Sequence, residues 1–203
     1  MSEKKLFVFA GPNGSGKSTI IKNAIEHGEC TPVFISPDDF VHPDDKNNET
    51  AVRAAQTQAD IVRQHHLGIG KSFTFETVLS IEAKLDFIKQ AKHLGYFVHV
   101  IYVTTSDPQI NLQRIALRVS QGGHDVPAEK VIARYKRSMD LMFDVIREAD
   151  RADIYDNSGK EPEFVAAKIK KIYYFLENPP EWLDRYFVSK VKTAKVFYCA
   201  FKP

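Results

Sequence analysis

The eight residues Gly11-Pro12-Asn13-Gly14-Ser15-Gly16-Lys17-Ser18 constrain this chain more than any other feature. Their pattern is glycine, four residues, then Gly-Lys-Ser, and they stand directly behind the apolar run 6–10. A run that short, ended by glycine, predicts a buried strand. The stretch 18–26 carries Ile20, Ile21, Ala24 and Ile25 and predicts a helix. Strand, glycine loop and helix in that order curl successive N–H groups inward and aim a helix N-terminus at the same point. The result is a cradle for the phosphates of a nucleoside triphosphate, with Lys17 reaching the terminal phosphates and Ser18 holding a magnesium ion. Thr19 completes the expected nucleotide-binding stretch.

Repeated strand–helix units come next. Short apolar runs at 33–35, 72–75, 96–103 and 152–155 predict further strands. The stretches 49–67, 80–94, 108–119 and 127–149 predict helices, two of them stopped by Gly68 and Gly95. Alternation of this kind predicts an α/β fold, a mainly parallel five-stranded sheet with helices on both faces. Residues 1–160 form the expected core domain. Residues 161–203 are expected to be a packing extension of it, with a helix at 164–176 and an added edge strand at 196–201.

The 203 residues suit one domain with a substantial core. A formal net charge of +2 gives no ground for nucleic acid or an acidic membrane as main partner. No stretch approaches the ~20 apolar residues of a membrane helix. Two cysteines, Cys30 and Cys199, without metal or redox spacing, predict a reducing, cytoplasmic setting.

The loop does not choose between ATPase, GTPase and kinase, but absences narrow the choice. No Asn-Lys-x-Asp guanine reader is present. The strand 96–103 ends in Thr104-Thr105, without the aspartate that motor ATPases use for magnesium. The segment Ser120-Gln121-Gly122-Gly123-His124 lacks the order of a transporter signature. A small phosphotransferase remains.

Its acceptor half is sought at the carboxyl ends of the strands. Asp38 and Asp39 follow the second strand, where a carboxylate can take the proton of an attacking hydroxyl. Capping the next segment is the commoner role for an Asp at such a place. Glu76 follows the third strand and can bind substrate hydroxyls or orient magnesium-bound water. Thr77 beside it would cap a helix equally well. Arg114 and Arg118 are four apart on one helix face, and Arg134 and Arg137 three apart on the next. The glycine-containing turn between them makes a lid that would bring guanidinium groups onto a transferred phosphate. A solvated face is the usual fate of scattered arginines. His124 is either part of that lid or a simple loop histidine.

Together these pieces resemble the zeta toxin and UDP-N-acetylglucosamine kinase family, in its compact stand-alone branch. The matching segments are the loop through Thr19, Ile35-Ser36-Pro37-Asp38, Phe73-Thr74-Phe75-Glu76-Thr77, Gly122-Gly123-His124-Asp125-Val126-Pro127, Arg134-Tyr135, and Tyr155-Asp156-Asn157-Ser158. The resemblance implies an adenylate-kinase-like P-loop NTPase fold with a lid, and ATP and magnesium as cofactors. It implies a small-molecule substrate, UDP-N-acetylglucosamine in the family, and an antitoxin protein as partner. Residue by residue it implies Asp38 as base with Asp39 as the fallback, and Glu76 as sugar-nucleotide ligand. Arg118 and Arg134, then Arg114, would hold the phosphate, and Asn157 would lie near the adenine. Two departures, Ser36 in place of an Asp and Thr77-Val78-Leu79-Ser80 in place of a Gly-Arg pair, fall in the acceptor half and leave the acceptor open.

Overall fold

A computed structural model describes residues 3–45, 48–123, 125–192 and 194–200. The first strand, β1 (Lys5–Ala10), is the most deeply buried segment near the loop, with Leu6, Val8 and Ala10 fully inaccessible. It lies between β2 (Phe73–Thr77) and β3 (Phe97–Thr104), and β4 (Arg151–Asp156) continues the sheet. All four of these strands are parallel. Then β5 (Glu163–Ile169) and β6 (Ile172–Leu176) join antiparallel, and β7 (Lys195–Cys199) pairs parallel to β6. The order is β2-β1-β3-β4-β5-β6-β7, seven strands among the described residues where five were expected.

Two corrections, together with the edge strand of the extension, account for the difference. The expected strand at 33–35 is reduced to a single parallel bridge between Phe34 and Thr74. The expected helix at 164–176 is a β-hairpin. Its chain turns at Lys170, which takes a left-handed conformation (φ 57) without being glycine. Asn-Gly or Asp-Gly normally marks such a turn, and Lys170-Lys171 carries neither signal. The expected edge strand is present as β7, while residues 201–203 lie outside the described residues.

The helices follow the sequence pattern closely. They are α1 (Lys17–Glu26), α2 (Glu49–Gly68), α3 (Glu82–His93), α4 (Pro108–Ser120) and α5 (Ala128–Glu148), with a short α6 (Glu181–Tyr186) in the extension. On α5, Val131, Tyr135, Ser138, Met139, Met142, Val145 and Ile146 recur at helical spacing and are buried. With Leu85, Ile88 and Ala91 of α3 they cover one face of the sheet. Ile21 and Ala24 of α1 cover the other, against Phe7, Phe9, Ile101 and Val103. The parallel strands therefore point their carboxyl ends to one edge, where the loop, Glu76 and Thr104 emerge together.

Candidate functional site

The loop leaves β1 at Gly11, whose φ of 141 is closed to ordinary side chains. A Cβ there would also collide with the carbonyl of Val103, so the loop is pressed flat against β3. Gly16 stands in the left-handed region (φ 91) as the N-cap of α1. No side chain caps this helix, and its first turn holds no acidic residue. Its free N–H groups and positive dipole end therefore remain available for an anion. Two buried polar atoms in the loop, Asn13 Oδ1 and Ser15 Oγ, have no protein partner. Unpaired buried polar atoms are costly. Of the two, the Ser15 hydroxyl can donate, and its place beside uncapped helix N–H groups fits a site built for phosphate.

Two asparagines outside the loop hold it in shape. Asn157 Nδ2 donates to the Ser15 carbonyl at 2.8 Å, and Asn111 Nδ2 on α4 donates to the Asn13 carbonyl at 2.6 Å. Asn157 occupies the space that a side chain on Gly16 would need. Asn157, expected near the adenine, is placed against the phosphate loop through its Nδ2. Asn111 was missed. The signal for it is a fully buried polar residue four before Ile115 on the buried stripe of α4.

Lys17 is only 7% exposed, and its Nζ donates to the carbonyls of Gly11 and Pro12, both at 2.8 Å. Burial pushes its pKa down to about 8, with Arg118 acting in the same direction and Glu76 against it. The lysine is thus held against its own loop.

The acceptor side faces Ser18. Its hydroxyl donates to Glu76 Oε2 at 3.4 Å, although 58 residues separate the two. Asp38 and Asp39 stand on a 3-10 turn, Pro37–Phe40, next to the same space. Their roles separate here. Asp39 Oδ2 accepts from Ser36 N at 3.0 Å while Ser36 Oγ accepts from Asp38 N at 3.2 Å, a capping box. The Asp38 carboxylate has no part in that cap. Ser18, Asp38, Asp39 and Glu76 line one cavity of about 430 Å³. Thr77 is not in that lining. Its hydroxyl accepts from Leu79 N at 3.0 Å, and its carbonyl accepts from Gly11 N at 3.2 Å, tying β2 to the loop.

The arginines are placed unequally. Arg114 donates through Nη2 to the Gly159 carbonyl at 3.1 Å, and its Nη1 is buried without a partner. Arg118, exposed on α4, is close enough for its charge to act on Lys17. Arg134 is half-buried on α5. The turn between α4 and α5 includes His124, which lies outside the described residues.

Arg63 was also missed. It is 4% exposed on α2, donating to the Ile35 carbonyl at 2.8 Å and to Asp60 at 2.9 Å, with its guanidinium over the Phe75 ring. It braces the segment before Asp38 against β2, the strand that carries Glu76. The spacing Ala55, Ala59, Arg63, Leu67 gave the signal, a charge set on an apolar stripe.

Comparison with known proteins agrees with this geometry. The family model for zeta toxin matches residues 1–164. An uncharacterized protein of Haemophilus influenzae is 31% identical over 140 residues, covering 66% of this chain and 94% of that protein. A chain from the AvrRxo1-ORF1:-ORF2 complex with ATP superposes with a TM-score of 0.67 at 18% identity, covering 83% of this chain and 59% of its own length. The chain thus spans about three fifths of that structure. A chain from the PezAT toxin–antitoxin system of Streptococcus pneumoniae gives a TM-score of 0.62 at 16% identity, covering 94% of this chain and 80% of the other. At these identities the two structures bear on the fold alone. The match to the family model, spanning the loop, Asp38, Glu76 and helices α4 and α5, establishes that this chain belongs to the zeta toxin family.

Proposed function

We propose that this protein transfers the γ-phosphoryl group of ATP to a hydroxyl of a small acceptor. The observation that carries the proposal is the cavity in which Ser18 of the phosphate loop meets Asp38, Asp39 and Glu76. Donor and acceptor machinery open onto one space there, as in-line transfer requires.

Each residue has a task in that scheme. Lys17 leaves the carbonyls of Gly11 and Pro12 and pairs with the terminal phosphates, with Arg118 and Arg134 closing from the lid and Arg114 beside them. Gly11 to Thr19 supply the backbone cradle. Asp38 takes the proton as the acceptor oxygen bonds to the γ-phosphorus. The bond from that phosphorus to the bridging oxygen breaks, and its electron pair leaves with ADP. Asp39 caps the turn that carries Asp38, and Asn157 and Asn111 keep the loop in register. A magnesium ion, when bound, offsets the charge of the triphosphate. Ser18 and Glu76 are the side chains that fit its protein side, in keeping with its habit of taking few protein ligands beside phosphates. Among the described residues no group of three or more His, Cys, Asp or Glu is placed to hold a metal alone.

Incubation with magnesium and ATP should give ADP in proportion to an acceptor that gains one phosphoryl group by mass. Asp38→Ala should lose that transfer while keeping ATP binding. Near wild-type transfer by this variant would remove Asp38 as base.

A protein partner of the antitoxin kind is a second reading, favoured by structural likeness to a chain of a toxin–antitoxin system. Expression of this chain alone should then arrest growth, and unimpaired growth would count against it. No described helix is long and apolar enough to cross a membrane. We place the reaction in the cytoplasm, where ATP is at hand, and read residues 161–203 as a packing extension of the kinase domain.

A further inference from the structure

The acceptor cavity has a one-sided chemistry. Among the described residues, four carboxylates line it, Glu26, Asp38, Asp39 and Glu76, against one cation, Lys22. Lys22 is exposed and already faces Glu26 at 3.9 Å. The buried cation behind this wall, Arg63, spends its Nη groups on Ile35 and Asp60 and does not line the cavity. Lys17 is turned to the donor side. Even with Glu76 offset by a magnesium ion, three carboxylates remain.

Such walls accept hydrogen bonds and give few. An occupant rich in hydroxyls satisfies them, since each hydroxyl brings a donor. An occupant with phosphate or carboxylate meets like charge, and no guanidinium fork on the described cavity wall receives it. The remaining wall is apolar, Ile21, Ile25 and Phe34, and suits the C–H face of a ring. At about 430 Å³ the cavity belongs to the smaller small-molecule sites.

Resting on the kinase reading above, we infer that the acceptor is a sugar or polyol without an anionic group, held by its hydroxyls, with amino sugars included. The chemistry disfavours a sugar that carries a phosphate or diphosphate.

The test gives the intact protein saturating magnesium-ATP and acceptor pairs that differ in one anionic group. N-acetylglucosamine is set against its 1-phosphate and against UDP-N-acetylglucosamine, glucosamine against its 6-phosphate, and sorbitol against gluconate. Phosphoryl gain is read by mass and kcat/KM by ADP release. The expected result is transfer to the non-anionic member of at least one pair, with kcat/KM about tenfold or more above its partner, a usual scale for electrostatic discrimination. Equal or better use of the anionic members overturns the inference, and so does transfer to none. Calorimetric titration with magnesium-ATP separates the two failures. Binding without transfer sinks the acceptor class alone, while no binding sinks the kinase reading as well. In Glu26→Lys the preference should shrink several-fold, and an unchanged preference would show that wall charge does not set it.

Discussion

The side-chain amide of Asn157 donates to the main-chain carbonyl of Ser15 at 2.8 Å across 142 residues of sequence. It fills the hollow left by Gly16, so the residue after β4 and the loop after β1 fit each other as lock and filler. Asn157→Ala leaves a buried carbonyl without its donor, a loss of about 1–3 kcal/mol. Thermal melting should fall by several degrees, and the Kd for magnesium-ATP should rise about tenfold, the binding equivalent of one such bond. An unchanged Kd in titration calorimetry would mean that the loop keeps its shape without the latch.

Lys17 gives a pH prediction. Its pKa falls from 10.5 to about 8 because burial disfavours the charged form. Between those values the unfolded chain binds the proton more tightly than the folded one. Stability attributable to Lys17 therefore rises from pH 8 to pH 10 in the nucleotide-free protein. Lys17→Met should lack that rise, and the difference between the two melting curves against pH measures it. Affinity for ATP should run the opposite way, weakening above about pH 8 as the free lysine loses its charge.

The adjacent aspartates should separate by readout. Asp39→Ala removes the cap on Ser36 N and should cost about 1 kcal/mol of stability with a small effect on kcat. Asp38→Asn should leave the melting temperature in place and lower kcat by about 10²–10⁴-fold, the range for a general base. Reversal of the two patterns would exchange their roles.

Glu76→Gln tests the pairing with Ser18 at 3.4 Å. The magnesium concentration for half-maximal transfer should rise about 10–100-fold, as for groups that support a metal site. Titration of activity against magnesium at fixed ATP reads it, and an unmoved midpoint would assign Glu76 to the acceptor instead.

Legibility in the sequence tracks the range of the interactions involved. The phosphate loop and α1 were legible because their chemistry is local: glycines, a lysine and a serine within eight residues. The position of Glu76 was legible from the strand that carries it, and that of Asp38 from the short apolar run before it, which the structure keeps as a single bridge at Phe34. Which aspartate caps was not, since both neighbours satisfy the same composition rule and only the direction of each carboxylate decides. Asn111 and Arg63 act across 98 and 28 residues, so helical spacing can mark them as buried but not name their partners. The hairpin of β5 and β6 was hidden by alanines and lysines that favour a helix and by a turn without glycine.

Strand order has one more consequence. The acceptor cavity sits by the β2 edge, and β5, β6 and β7 are all added at the opposite edge. The extension reaches toward the nucleotide loop through Trp182, whose Nε1 donates to Asp156, the neighbour of Asn157, at 2.7 Å. Changes on β5, β6 or β7 should therefore leave acceptor choice in place, whereas loss of Trp182 should reach the nucleotide loop. Four parallel strands stand between the proposed acceptor cavity and the three strands that extend the sheet after β4.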